Sequence, residues 1–196
     1  MRRPFTAVVV VLIVILSFGV LRMRSKPAPS PAPPAVQQQD TAQSAARELD
    51  DPTIVAIFDI ANTNDIETGT LAMQRGQSKE VRDFGAMIVR DHRGMQQTGR
   101  DLAKKLGVTP TPPPEGPFSL KHKAAMQMLR EVKTAEFDQA FLKHEASYHA
   151  EVIQLVTETL LPAIVNAELK ALVVKVSPVF EAHRAGADGL SKRLAK

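Results

Sequence analysis

The chain has 196 residues, 44% of them apolar, and no cysteine. That is enough for one core of ordinary size, and it excludes disulfides, thiolate metal sites and a lipid-modified N-terminal cysteine. The formal charge of +4 arises in the first 26 residues, where Arg2, Arg3, Arg22, Arg24 and Lys26 stand without an acid; the near-neutral remainder excludes the usual footprint of nucleic-acid binding.

Pro4 to Leu21 is an 18-residue segment without a charge, which as a helix would reach about 27 Å, close to the hydrocarbon thickness of a bilayer. It reads as a signal peptide or an uncleaved anchor. RMRSK follows Leu21 where a small-x-small cleavage site would stand, which favours the anchor. Residues 1–26 are therefore expected to hold a single-pass protein in the bacterial inner membrane, with its domain in the periplasm or extracytoplasmic space. Residues 27–51 read as a linker. Its start, PAPSPAPPAV, carries five prolines, which predict an extended spacer of about 3.1 Å per residue.

Residues 52–195 read as one helical domain, because strand signals are missing and apolar residues recur at helical spacing. The first helix is expected near Pro52, capped by Asp51, with Ile57, Ile60, Asn64, Glu67 and Leu71 inward. Gly76 breaks the chain and Ser78 caps a second helix ending at Leu106 and Gly107, with Val81, Phe84, Ile88, His92, Met95 and Leu102 on its inner line. After the proline-dense TPTPPPEGPF, a shorter helix runs from Ser119 to Val132 around Met126 and Leu129. The third main helix starts at Thr134 or Phe137 and turns Phe141, Leu142, Glu145, His149, Val152 and Val156 inward. The fourth spans Ala167 to about Leu194 through Leu169, Leu172, Val176, Phe180, His183, Ala187 and Leu190, and Pro178 is expected to kink or interrupt it. Four such helices predict an all-α antiparallel bundle with a short extra helix.

Each main helix carries a polar residue on its inner line: Glu67, His92, Glu145 with His149, and His183. Buried alone, each would cost a few kcal/mol (about 2–7), so each needs a partner or a ligand. Counting residues from the two turns places all of them near one height. Three imidazoles and two carboxylates suit one transition-metal ion: Zn, Fe, Mn or Cu. No Glu-x-x-His occurs in the chain, which disfavours a di-iron centre. Met95, three residues after His92, would add a soft ligand for copper, whereas Met87, Met126 and Met128 read as filler. The plainer reading makes each histidine a core residue paired with a carboxylate, with Asp91 orienting His92, and His122 and His144 facing solvent.

The runs Glu67 to Ala72 and Val81 to His92, with Phe137-Asp138, His149, Ser177-Pro178 and His183, resemble the bacterial family called domain of unknown function 4142. The resemblance covers roughly Pro52 to Leu190. It implies a ferritin-like bundle, a label as a membrane or predicted outer-membrane protein, and Glu67, Asp91, His92, His149 and His183 as the positions carried over. Ser177-Pro178 departs from the family's usual Leu-Pro, and an anchor stands in place of a cleavable signal. His92-Arg-Gly-Met95 alone resembles a second bacterial bundle family associated with copper. No nucleophile constellation, phosphate loop or nucleotide fingerprint is present, so no catalysis is expected from motif. The expectation is a membrane-tethered, envelope-facing bundle holding a metal in its core. The alternatives are a structural or protein-interaction module with a buried His/Glu polar layer, or a metal-dependent redox or storage protein. Paired core histidines would also suit pH sensing.

Overall fold

The computed structural model describes residues 49–196. The expected anchor and nearly all of the linker lie outside them. No helix among the described residues is long and apolar enough to cross a membrane. Among the described residues this corrects the reading of a membrane-tethered, single-pass inner-membrane protein with a transmembrane or signal helix and a periplasmic domain. The long described helices all carry charged residues along their length, and none supplies a span.

Helix α1 covers Asp51–Arg75, α2 Lys79–Leu106, α3 Pro117–Glu131, α4 Phe137–Leu155, α5 the single turn Leu161–Ala163, and α6 Ala167–Leu194. A 3-10 turn at Thr134–Glu136 precedes α4, a π-helical turn at Val156–Leu160 joins α4 to α5, and no strand occurs among the described residues. The cap of α1 is Asp50, whose carboxylate accepts from Thr53 N at 2.9 Å. Asp51, expected there, instead accepts from the backbone N–H groups of Val165 and Asn166 at 3.0 and 2.8 Å. It ties the start of α1 to the loop before α6. Ser78 caps α2 through Val81 N, and Gly107 closes α2 at φ 66°, where a side chain would be strained. Pro178 lies inside α6 without ending it.

Helices α1 and α2 form one antiparallel pair. A Cβ on Gly85 would lie 2.7 Å from Gly69 O, and one on Gly99 would lie 2.7 Å from the Phe58 ring. These close approaches bring Asn62 and Asp65 of α1 against His92 of α2. Helices α4 and α6 form the second antiparallel pair, joined at one end by Ser191 Oγ donating to Gln139 Oε1 at 2.7 Å. Asp138 on α4 accepts from the backbone of Gln77 and Ser78, both at 2.8 Å, and so links the pairs. Helix α3 lies outside the four and is held by Arg75, which donates to the carbonyls of Leu129, Arg130 and Val132 at its end.

Apolar packing divides into two clusters. One centres on Phe58, Val152, Leu169 and Phe180, the other on Phe84, Phe137, Phe141 and Leu190. Asp65, Glu145, His149 and His183, none of which belongs to either cluster, are buried with His92 in the same bundle.

Candidate metal centre

His92, Glu145 and His149 are wholly buried, and Asp65 and His183 are 2% exposed. Helix α2 supplies His92, α4 supplies Glu145 and His149 one turn apart, and α6 supplies His183. From α1 comes Asp65, not Glu67. Helix α1 is turned from its expected register, so that Ile54, Phe58, Asn62, Asp65 and Ala72 face inward and Ile57 and Ile60 are only half-buried. Glu67 consequently leaves the layer, with its side chain 51% exposed and Oε2 accepting from His122 Nε2 at 2.9 Å.

Hydrogen bonds decide which nitrogen of each ring carries its proton. Asn62 Nδ2 donates to Phe58 O at 2.7 Å, which leaves Asn62 Oδ1 to accept from His92 Nδ1 at 2.9 Å. His183 Nε2 donates to Asp91 Oδ2 at 3.1 Å, while Asp91 is held by Arg90. Asp91 therefore orients His183 and not, as expected, His92. His149 Nδ1 donates to the Glu145 carbonyl at 2.9 Å. Each neutral imidazole has one N–H, and each is now used. The bare nitrogens are His92 Nε2, His183 Nδ1 and His149 Nε2.

Two of those lone pairs meet directly, with His149 beside them. His92 Nε2 and His183 Nδ1 stand 3.2 Å apart, and ligand atoms of all three histidines lie within 4.8 Å of one another. Asp65, Glu145 and His149 form a second such group, which shares His149 with the first. His149 Nε2 is 3.7 Å from Asp65 Oδ1, and both atoms are buried without a hydrogen-bond partner, as are both carboxyl oxygens of Glu145. An orphaned buried polar atom costs about 1–3 kcal/mol. Four in one place, among nitrogen and oxygen donors, fit a cation.

Electrostatics agree with the proton count. Burial, with His149 and His183 nearby, pushes His92 down to about 2. Burial likewise pushes His149 down to about 3, against the pull of the Glu145 carbonyl, and lowers His183 against the pull of Asp91. The rings are neutral near pH 7, so no proton fills the 3.2 Å gap. Burial raises Glu145 to about 8, and burial with the Glu145 charge raises Asp65 well above the carboxylate range. The layer avoids charge unless a cation supplies the countercharge. A groove of about 770 Å³ between α2 and α6 reaches Asp91 and His183 from solvent, with Glu80 and Asp83 on its wall.

Sequence reasoning missed Asn62 and Asp65. A second, overlapping polar line on α1 was their only signal. It also placed His122 in solvent, where α3 in fact buries it to 8% exposure. Met95 belongs to the apolar cluster of Phe58 and Phe180. Tyr148 accepts from Asn64 at 3.3 Å and donates to Ala61 O at 3.2 Å, the satisfied hydroxyl expected of a core tyrosine.

The fold and the site define an all-α bundle with a buried imidazole–carboxylate layer of metal-ligand type. Residues 35–190 match the family described as Domain of unknown function (DUF4142), and the chain belongs to that family. Membership brings no membrane or outer-membrane placement with it. The chain is similar in fold to the crystal structure of a DUF305 fragment from Deinococcus radiodurans, at TM-score 0.64 and 15% identity, covering 72% of this chain and 95% of that one. No curated protein matches it.

Proposed function

We propose that this chain is a ferritin-like, non-catalytic bundle module whose buried layer binds one transition-metal ion. The donors are His92 Nε2, His149 Nε2 and His183 Nδ1, with Asp65 or Glu145 completing the set. One observation carries this reading: three independent hydrogen bonds leave three imidazole lone pairs converging with no proton between them. The 3.2 Å contact is close to the roughly 3.3 Å edge of a tetrahedron whose metal–nitrogen bonds are about 2.0–2.1 Å. Asn62, Asp91 and the Glu145 carbonyl do the orienting that a ligating histidine needs on its other nitrogen. Because the layer is buried and four protein donors are at hand, the arrangement is that of a closed structural site.

The test is thermal unfolding of the chelator-stripped full chain with Zn, Mn, Fe(II) or Cu(II), beside His92→Gln and His183→Ala. A native-state ligand at a hundred times its dissociation constant adds about 2.7 kcal/mol. One metal should give a rise of that order, lost in both variants.

The raised carboxyls favour a second reading, a metal-free structural module. There Asp65 and Glu145 keep their protons and face the bare nitrogens as a neutral polar layer. In that case no metal shifts the unfolding, and the variants change stability alone.

A further inference from the structure

The buried layer lies between two helix pairs, and the pairs meet along two seams. One seam runs between α1 and α4, where the Tyr148 hydroxyl donates to Ala61 O at 3.2 Å. Helix α3 bridges it and is bonded to both sides: His122 Nε2 donates to Glu67 of α1 at 2.9 Å, and Lys121 Nζ donates to Glu151 of α4 at 2.8 Å. The other seam, between α2 and α6, is the groove of about 770 Å³, and every residue lining it belongs to those two helices. No third element closes it. Ala182, Ala185 and Gly189 face it with side chains too small to fill it.

His183 is the partition between this groove and the layer. It lines the groove yet is 2% exposed. Its Nε2–H donates to Asp91 Oδ2 at 3.1 Å on the groove side, and its Nδ1 stands 3.2 Å from His92 Nε2 on the inner side. The His92 and His149 rings lie next to it, with centroids 5.1 and 5.2 Å away. Asp91 is 27% exposed and is held in turn by Arg90, whose side chain is 72% exposed; such surface pairs contribute little. An enclosed site exchanges with solvent through local opening, which occurs where the fewest buried contacts must break. Moving His183 aside gives up one partly exposed hydrogen bond and the packing of one ring. Opening the opposite seam requires lifting α3 and parting Tyr148 from α1.

We propose that the groove between α2 and α6 is the route by which a divalent transition-metal ion enters and leaves the layer, with His183 as the side chain that moves aside and Asp91 as the residue that holds it closed. This rests on the metal reading above and adds to it where the ion is exchanged.

The chain has no cysteine, so Ala182→Cys places a single thiol in the groove, at a position exposed in the native sequence. Capped as a methyl disulfide after folding, it leaves the groove open; capped as a biphenyl disulfide, it fills the groove. Neither cap leaves a thiolate to bind metal. Stopped-flow uptake of Zn²⁺ by the chelator-stripped full chain, and its extraction by added chelator, are compared for the two caps. An obstruction in a route slows entry and exit by the same factor and leaves Kd, their ratio, unchanged. The biphenyl cap should slow both by about tenfold or more, with Kd constant within about twofold. The same two caps on Ser147→Cys, exposed at the cavity beneath α3, should give equal rates. Equal rates for the two caps at position 182, a slowing of the same size at position 147, or a slowing matched by a change in Kd overturns the route while zinc still binds. A methyl-capped chain that takes up no zinc instead overturns the metal reading, and the route with it.

Discussion

Two regions stacked along the same helices solve burial in opposite ways. In the Phe84, Phe137 and Phe141 cluster, rings meet edge-on at 6.3 Å and stacked at 6.1 Å, and the packing contributes chiefly through apolar area, with ring geometry and the Arg75 guanidinium 5.0 Å over Phe137 adding to it. In the neighbouring layer, His92, His149 and His183 lie with ring centroids 5.1–5.7 Å apart, yet area explains little there. Each ring is locked by a hydrogen bond and turned so that its lone pair faces the others. The first region is satisfied by close packing, whereas the second is complete only when something meets the lone pairs, a metal ion or the protons of Asp65 and Glu145.

The largest contrast should come from deleting one side chain in the apolar region. Phe141→Ala removes a ring with no exposed surface and should cost about 3–5 kcal/mol in chemical denaturation. The loss should be the same with and without metal. Saturating metal should next raise the stability of the native sequence by about 2.7 kcal/mol at a hundred times its dissociation constant. The Phe141→Ala chain should show the same rise and the His92→Gln chain none.

A third effect is pH. Four histidines are held below their ordinary value, His92 at about 2, His149 at about 3, the half-buried His144 at about 4, and His183 lowered. The unfolded chain therefore takes up protons that the folded chain refuses, and stability falls as pH drops below about 6.5. Glu145 at about 8, with Asp65 also raised, acts in the other sense. These carboxyls keep protons that the unfolded chain has released, so stability also falls as pH rises from their ordinary range towards 8. With four histidines against two carboxyls, metal-free stability should peak near pH 6.5, each group contributing a slope of about 1.4 kcal/mol per pH unit. Bound metal should flatten the alkaline side, because it takes the place of the protons on the acids. Urea midpoints between pH 5 and 8 read this directly. The smallest change is Asp50→Ala, which removes the α1 cap and should cost about 1 kcal/mol regardless of metal.

The difference between the regions also explains what could be read in the sequence. Along α2, α4 and α6 one apolar line dominates, so the inward residues from Val81 through Leu190, His92, His149 and His183 among them, follow from spacing. Helix α1 is different. Ile54, Val55, Ile57, Phe58 and Ile60 are apolar almost all round, and spacing alone cannot choose between a line ending on Glu67 and one through Asn62 and Asp65. Packing chooses, because Gly69 on Gly85 and Phe58 on Gly99 are the approaches that permit close contact with α2. His122 was illegible for another reason. Its burial depends on α3 folding back over α4, a long-range contact with no periodic trace.

The central claim is that three imidazoles share one ion. X-ray absorption on the full-length chain, loaded with one equivalent of Zn²⁺, tests it most directly by counting ligands. The account predicts three imidazole nitrogens and a carboxylate oxygen at about 2.0–2.2 Å. A spectrum showing one imidazole or none, or a chain that retains no zinc, would contradict it and leave the layer as a neutral polar seam.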